Sequence, residues 1–215
     1  MSKIPSFAEL QNFRVNRSDD YEGIRQSLYD SQTYAAAGQT SLTFFQVPIG
    51  QAGKTRADTN METAGTLPQP KNFLAESIEL HILPAIDPSA VDGGVVGDGS
   101  EFANDVYKIL SAGFLELFIG SKTYLTEAPL MKFPPKTRME LSAAESVAIG
   151  DAGAAINFRD VYAAGSGRPY YLDPAILLEP TQNFNVSLNW PTAVAISADL
   201  RIFVSMDGVL YRLSQ

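Results

Sequence analysis

The run Gly50-Gln51-Ala52-Gly53-Lys54-Thr55 ends in the GKT triplet of a phosphate-binding loop and follows an apolar stretch typical of a strand. A phosphate-binding loop needs the spacing GxxxxGK[ST], because its first glycine lets several backbone amides converge on the anion. Here that position is Pro48, which has no amide hydrogen to donate. The residues after Thr55 are poor helix formers, so no helix N-terminus would support a phosphate. We therefore interpret the run as a structural loop.

His81 is the only histidine of the chain. A Ser-His-Asp hydrolase would also need a serine on a sharp turn, and no GxSxG motif occurs. A metal site of the kind found in cupins would need several histidines. The chain has no cysteine, which excludes thiolate nucleophiles, disulfides and cysteine-ligated metals. We predict that His81 is a strand residue facing solvent or a neighbour, that the protein is not an enzyme, and that it holds no cofactor.

Acidic side chains offer the next candidates. Asp87, Asp92 and Asp98 lie in a glycine-rich segment and could provide oxygen ligands to calcium. Their spacing does not match the D-x-[DN]-x-[DN]-G pattern of an EF-hand, so a solvated loop is favoured, with a calcium ion shared between subunits as the alternative. Glu140 and Glu145 are interpreted as a solvated helix face rather than as a pair for glycoside hydrolysis.

Aromatic residues are frequent, with twelve Phe, nine Tyr and one Trp. Several could line a sugar-binding surface: Phe44, Phe45, Tyr170, Tyr171 and Trp190. Such residues more often fill the space between two packed sheets or a subunit interface, and we prefer that interpretation. The run GRPYYLDP, residues 167–174, is the predicted exposed aromatic patch, and Tyr170 and Tyr171 are predicted subunit contacts.

The composition is that of an acidic globular chain of 215 residues, long enough for one well-filled core. Sixteen basic against 24 acidic residues give a net charge of −8, and the basic residues are scattered. Because phosphate binding needs concentrated positive charge, direct nucleic-acid binding is not expected. The first twenty residues lack the apolar run of a signal peptide, and no run of about 20 apolar residues could span a membrane. We expect synthesis in a cytoplasm.

The elements that must position these residues begin with an N-terminal arm. Residues 1–18 have the pattern of an extended segment with apolar residues at regular intervals: Ile4, Phe7, Leu10 and Phe13. Such an arm either packs against its own domain or packs on a neighbouring subunit. For the second alternative, Phe7, Leu10 and Phe13 are the predicted contact residues.

A helix is predicted after the arm, from Asp20 to Ala37. Asp20 can cap the helix N-terminus, apolar side chains recur at helical spacing, and Gly38 would end it. We therefore divide the chain into an N-terminal arm and helix, residues 1–38, and a jelly-roll domain, residues 39–215.

Eight strands are predicted in the rest of the chain, separated by turn residues. They are Leu42–Val47, Phe73–Leu83, Phe114–Ile119, Thr123–Met131, Ile176–Glu179, Asn183–Trp190, Leu200–Ser205 and Val209–Leu213. Gly120-Ser121 predicts a tight hairpin between the third and fourth strands, and Asp207-Gly208 is a strong hairpin signal between the last two. A helix is predicted from Ser100, its expected N-cap, to Gly113, and another over Glu140–Ala148, followed by a flexible Gly/Ala-rich stretch. Because βαβ alternation is lacking, the predicted fold is mainly β, an eight-stranded antiparallel jelly-roll sandwich with short helices in two long loops.

This order of elements resembles the single jelly-roll coat proteins of viruses. The passages TNMETAGTLPQPKNF and SADLRIFVSMDGVLYR are similar to structural proteins of small tailless bacteriophages. The resemblance implies two facing four-stranded sheets, an arm before the first strand, and helices after the second and fourth strands. The strongly basic arm of coat proteins that package RNA is missing here.

The resemblance implies a structural virion protein, a major capsid protein that assembles with copies of itself, and with other virion proteins, into an icosahedral shell. Its location would be the virion, after synthesis in the host cytoplasm. A shell over an internal virion membrane would not need a basic arm. The alternative is a virion spike or decoration protein, or a lectin-like module that holds a glycan on its aromatic loops. An enzyme on the same scaffold is disfavoured by the lone histidine.

Overall fold

The computed structural model describes residues 21–84, 99–146, 156–165 and 168–213, and these residues lie mainly in strands. In chain order the elements are β1 Tyr21–Tyr34, β2 Ser41–Phe44, β3 Asn72–Pro84, α1 Gly99–Ala112, β4 Phe114–Ile119, β5 Lys122–Glu127, β6 Thr137–Ser146, β7 Ile156–Gly165, β8 Tyr170–Leu178, β9 Phe184–Asn189 and β10 Leu200–Leu213. A 3-10 turn, Leu130–Lys132, follows β5. The predicted mainly-β class is confirmed.

The strands form two antiparallel four-stranded sheets and one separate hairpin. Sheet A has the order β1-β10-β3-β8, sheet B has the order β2-β9-β4-β5, and among the described strands β6 pairs only with β7. The pairing is nested along the chain: β1 pairs with β10, β2 with β9, β3 with β8, and β4 with β5. The β4–β5 hairpin, predicted at Gly120-Ser121, is the innermost of these pairs.

The two sheets share one buried core. Phe73 and Ile78 of sheet A and Leu117 and Val186 of sheet B belong to the same apolar cluster and are completely buried. Alternate side chains of each strand point into this space, as packed sheets require. Phe44, Phe45 and Trp190 are also buried there, which confirms their predicted core position.

The helix predicted over Asp20–Ala37 is wrong, because residues 21–34 form β1, which pairs with β10 over its whole length. The inward side chains of β1 include Leu28, Asp30 and Tyr34, and the buried aspartate breaks the apolar alternation that would have indicated a strand. The partner strand lies at the other end of the chain, and such pairing overrides local propensity.

The hairpin predicted at Asp207-Gly208 is also wrong, because the two predicted strands are one continuous strand, β10. A Cβ atom on Gly208 would lie 1.9 Å from the carbonyl oxygen of Leu74 in β3. The register between β10 and β3 shifts at this point, where Glu76 is the extra residue of β3. The glycine therefore marks a close approach between two backbones rather than a turn.

The helix predicted over Glu140–Ala148 is a strand as far as the structure describes it. Residues 140–146 lie in β6, which pairs with β7 from Thr137 opposite Gly165 to Ser146 opposite Ile156. The stretch predicted to be flexible therefore contains β7. Helix α1 is confirmed, although it begins at Gly99 rather than after Ser100.

Candidate functional site

A groove of about 740 Å³ lies between β5 and β8, the edge strands of sheets B and A. Its lining includes apolar, aromatic and polar side chains, among them Leu125, Leu172, Ile176, Leu177, Tyr124, Tyr170, Tyr171, Asp173, Glu179 and Gln182. We call it the edge groove. It contains Tyr170 and Tyr171, the two predicted contact residues that the structure describes; Phe7, Leu10 and Phe13 lie outside the described residues.

The floor of the edge groove arises from an irregularity in β8. Tyr171 stands opposite Ser77 of β3, and Ile176 stands opposite Ala75, so residues 172–175 of β8 face a single residue of β3. Within this stretch Leu172 is buried in the core and Asp173 is exposed, with a cis peptide bond before Pro174. All four residues of this stretch line the groove.

Tyr170 joins one wall of the groove to the other. Its ring packs on Phe133 with the ring centroids 4.7 Å apart, and its hydroxyl lies 3.3 Å from Glu127 Oε1 in β5. Burial raises the pKa of Tyr170, and the Glu127 carboxylate raises it further. Glu127 accepts a 2.6 Å hydrogen bond from Lys132, and this bond lowers the pKa of Glu127 despite partial burial. At neutral pH Tyr170 is therefore neutral and Glu127 is ionised, and their contact holds β8 and β5 together.

Tyr171 and Tyr124 are the exposed aromatic residues of the groove, with 56% and 52% of their surface exposed. The Arg168 guanidinium lies 5.6 Å from the centre of the Tyr171 ring, a cation–π distance. Exposed aromatic faces stack on apolar groups or sugar rings, and the nearby Asp173 carboxylate accepts hydrogen bonds. Of the two predicted contacts, Tyr171 is available to a partner, whereas Tyr170 is held internally.

The GKT run forms the structural loop that the sequence predicts. The amide of Gly50 donates to the carbonyl of Lys54 at 2.8 Å, and the amide of Lys54 donates to the carbonyl of Gln51 at 2.9 Å. The Lys54 ammonium lies 2.5 Å from Oδ1 of the buried Asp30. Its charge is therefore neutralised within the fold rather than offered to a phosphate.

The remainder of this loop covers the outer edge of β1. Tyr29 donates its amide to Asn60 Oδ1 at 2.9 Å, and Asn60 donates its amide back to the Tyr29 carbonyl at 3.2 Å. The Asn60 side chain also donates to the Ser27 carbonyl at 2.7 Å. Arg201 of β10 pairs with Asp58 farther along the loop. A hydrogen bond from the Thr55 amide lowers the pKa of Asp58, against the opposing effect of burial, and Arg201 lowers it further.

His81 lies on β3, with its Nε2 3.4 Å from Glu79 Oε2, and is partly exposed. Glu79 is buried and accepts a hydrogen bond from the Lys136 amide. Among the described residues no group of three or more acidic or histidine side chains could hold a metal ion. Asp87, Asp92 and Asp98 lie outside those residues.

Tyr124 is the exposed aromatic residue of the groove that the sequence analysis did not single out. The predicted strand Thr123–Met131 contains it, but β5 ends at Glu127 and Leu130–Lys132 form the 3-10 turn. Tyr124 is exposed and is the extra residue of a bulge in β5. No local pattern indicates a bulge at this place. Within the described ranges, no helix is long and apolar enough to cross a membrane.

Comparisons with known proteins give no further guide: no family model, no curated protein and no solved structure matches the chain.

Proposed function

We propose that the protein is a jelly-roll capsid subunit that assembles with copies of itself, as the major shell protein of a small tailless bacteriophage. The observation that carries the proposal is the nested pairing of β1 with β10, β2 with β9, β3 with β8 and β4 with β5. Successive pairs alternate between the two sheets: β1–β10 and β3–β8 lie in sheet A, and β2–β9 and β4–β5 lie in sheet B. A long hairpin that rolls up on itself gives this arrangement. Double-sheet jelly rolls of this kind occur in viral capsid proteins, lectins and cupins.

The chemistry of the chain supports the capsid among these three uses. A cupin-type metal site relies on several histidines, and the chain has one. Large exposed apolar side chains are distributed over separate elements, with Tyr107 on α1, Tyr124 on β5, Met131 in the 3-10 turn and Tyr171 on β8. A shell subunit contacts several neighbours at once, and aromatic residues and methionine are enriched in protein interfaces.

Assembly would proceed by burial of such side chains in repeated, symmetric contacts. A specific interface typically buries about 800 Å² per partner, so a few exposed anchors suffice when the surrounding surface is complementary. The net charge of −8 would keep free subunits soluble before they meet. The separate β6–β7 hairpin is a second element available for contacts between subunits.

The test is the mass of the purified full chain near neutral pH by light scattering, with negative-stain images of the same sample. We expect closed particles or regular sheets of many subunits. Tyr171→Ser should reduce assembly, whereas Phe203→Tyr, a change on the outer face of β10, should not. A monomer at every concentration and salt tested would overturn the proposal.

A second candidate function, glycan binding by a virion spike or lectin-like module, is favoured by the edge groove. The exposed rings of Tyr124 and Tyr171 stand beside three polar side chains that can bond sugar hydroxyls: Asp173, Glu179 and Gln182. This candidate predicts a discrete oligomer that binds glycans on an array, with binding lost in Tyr171→Ala. Shell formation without glycan binding would exclude it.

A further inference from the structure

The exposed edges of the two sheets differ in how they are covered. Asn60 and its neighbours bond the outer edge of β1, as described above. The short strand β2 has its Thr43 carbonyl bonded by the Gln32 side chain at 3.1 Å. Covered or very short edges do not readily pair with another chain, because few of their backbone groups remain free.

The edges that border the groove are β8 and β5. The irregularity at residues 172–175 interrupts β8, and just beyond it the Thr181 amide bonds the Leu67 carbonyl at 2.9 Å. Strand β5 pairs with β4 on one side only, and no other described backbone group bonds it. Its outer row of amides and carbonyls is therefore an open edge of the described fold.

The bulge in β5 decides which of its side chains share a face. Thr123 pairs with Phe118 and Leu125 pairs with Leu117, so Tyr124 is the extra residue. On the two sides of the bulge, Lys122 and Glu127 stand opposite Ile119 and Leu115, which are both buried. Lys122, Leu125 and Glu127 therefore lie on the inner face of sheet B, and Thr123 and Thr126 lie on its outer face.

With Tyr124 set aside, β5 is self-complementary about Leu125. A two-fold axis perpendicular to the sheet keeps each residue opposite one on the same face. An axis at Leu125 places Lys122 opposite Glu127 of a second copy, Thr123 opposite Thr126, and Leu125 opposite itself. Without the bulge this arrangement would be impossible, because Lys122 and Glu127 are an odd number of residues apart and would lie on opposite faces.

We infer that β5 pairs antiparallel with β5 of a second copy in this register, joining two B sheets into one continuous eight-stranded sheet. The pairing forms two Lys122–Glu127 ion pairs, one on each side of the axis, and two threonine pairs, all of them favourable cross-strand combinations. A shift of the register by one or two residues loses both ion pairs. This pairing would be one of the contacts between subunits of the proposed shell, and that role rests on the proposed function.

Glu127 has capacity for this second cation. Its Oε2 accepts from Lys132 and its Oε1 from Tyr170, while an ionised carboxylate offers about four acceptor sites. Lys122 is exposed and no described acidic group pairs with it. The two ion pairs therefore form without breaking a bond of the single subunit.

Charge reversal tests the pairing. The variant K122E places two acidic groups opposite each other at both ends of β5, and the variant E127K/K132E places two basic groups there while keeping an ion pair within the subunit. Each variant alone should self-associate about tenfold or more weakly than the wild type. An equimolar mixture should recover wild-type association, because every opposed pair then has opposite charges. Sedimentation velocity with one variant labelled measures both results.

Disulfide trapping gives a readout that does not depend on charge. The chain has no cysteine, so T123C and T126C introduce single thiols at two exposed positions. Under oxidation a mixture of the two variants should form a cross-linked pair, because directly opposed residues of antiparallel strands have Cα atoms about 4.5–5.5 Å apart, within the range that a disulfide spans. Neither variant should cross-link alone, because each thiol then faces a threonine.

The outcomes separate this inference from the proposed function. Recovery on mixing together with the selective cross-link supports the β5 pairing. Wild-type shells that tolerate K122E, or cross-linking of T123C alone as strongly as of the mixture, would overturn it and leave the shell proposal standing. A β5-paired dimer that never forms closed particles would support the pairing and contradict the shell. A wild-type monomer under all conditions would overturn both.

Discussion

Lys54 in the loop after β2 and Asp30 in β1 form an ion pair inside the protein, with 2.5 Å between Nζ and Oδ1. The Asp30 side chain is completely buried, and that of Lys54 is 11% exposed. The second carboxylate oxygen accepts the Phe45 amide at 2.6 Å. A buried charge is tolerated when it is paired and hydrogen-bonded, so this contact holds the loop, β1 and the end of β2 together.

Lys54→Met should destabilise the protein by about 3–5 kcal/mol, because it leaves the Asp30 carboxylate buried without its cation. Urea unfolding measures the change. Lys71→Met is the matched control: Lys71 pairs with Glu62 at 2.7 Å, but the side chains are 28% and 55% exposed, so the expected cost is about 1 kcal/mol or less. Equal effects of the two substitutions would contradict the structural role of the Lys54–Asp30 pair.

Gly208→Ala tests the close approach of β10 to β3. The new methyl group would lie 1.9 Å from the Leu74 carbonyl oxygen, so two central strands of sheet A would have to separate. We expect a loss of about 3 kcal/mol or more in urea unfolding, the upper range for overpacking. Gly50→Ala is the control, since its added Cβ meets nothing within 4 Å and its cost, about 1 kcal/mol, comes from the positive φ of 83° alone.

Asp105 of α1 should make stability depend on acid pH. It is buried and accepts hydrogen bonds from the Ser197 amide at 2.8 Å, from the Ser197 hydroxyl, and from Lys108 at 3.1 Å. Burial acts to raise the pKa of Asp105, but these bonds outweigh it and lower the pKa below 3.8. A lowered pKa in the folded state gives stability that is present above pH 3.8 and is lost as the pH falls through the folded value.

Asp105→Asn should therefore cost about 2 kcal/mol at neutral pH and progressively less as the pH falls below 3.8. Urea midpoints of the wild type and the variant, measured across this range, give the difference directly. A difference that stays constant with pH would show that Asp105 contributes through shape rather than charge.

The sequence predicts most strands whose partners are near in the chain or whose alternation is unbroken. The predicted strand Phe114–Ile119 has the observed bounds, and Phe73–Leu83 differs from β3 by one residue at each end. Turn residues at Gly120-Ser121 also predict the hairpin between β4 and β5. These elements combine apolar alternation with turn chemistry, the two signals that act locally.

The failures are places where a distant contact decides the local structure. Asp30 interrupts the alternation of β1 and is acceptable only because Lys54 and the Phe45 amide reach it. Gly208 predicts a turn from the local sequence, but in the fold it lets the backbone of Leu74 in the neighbouring strand lie against it. The edge groove also depends on distant contacts, because it lies between the two strands that form the sheet edges. The sequence of β5 alone does not predict that it pairs with β4, and the sequence of β8 alone does not predict that it pairs with β3.

Tyr170 should ionise later than an ordinary tyrosine and should make stability depend on alkaline pH. Burial, and then the Glu127 carboxylate, raise the pKa of Tyr170 above 10.0. A raised pKa in the folded state means that this contribution to stability is complete below pH 10.0 and is lost as the pH rises through the folded value. Ultraviolet titration of tyrosinate should show a late phase that Tyr170→Phe removes and that Tyr171→Phe, at the exposed neighbour, leaves in place. Glu127→Gln should shift the late phase to lower pH, because the Tyr170 tyrosinate then no longer faces a negative charge across the groove. A late phase that persists unchanged in Tyr170→Phe would refute its assignment to Tyr170.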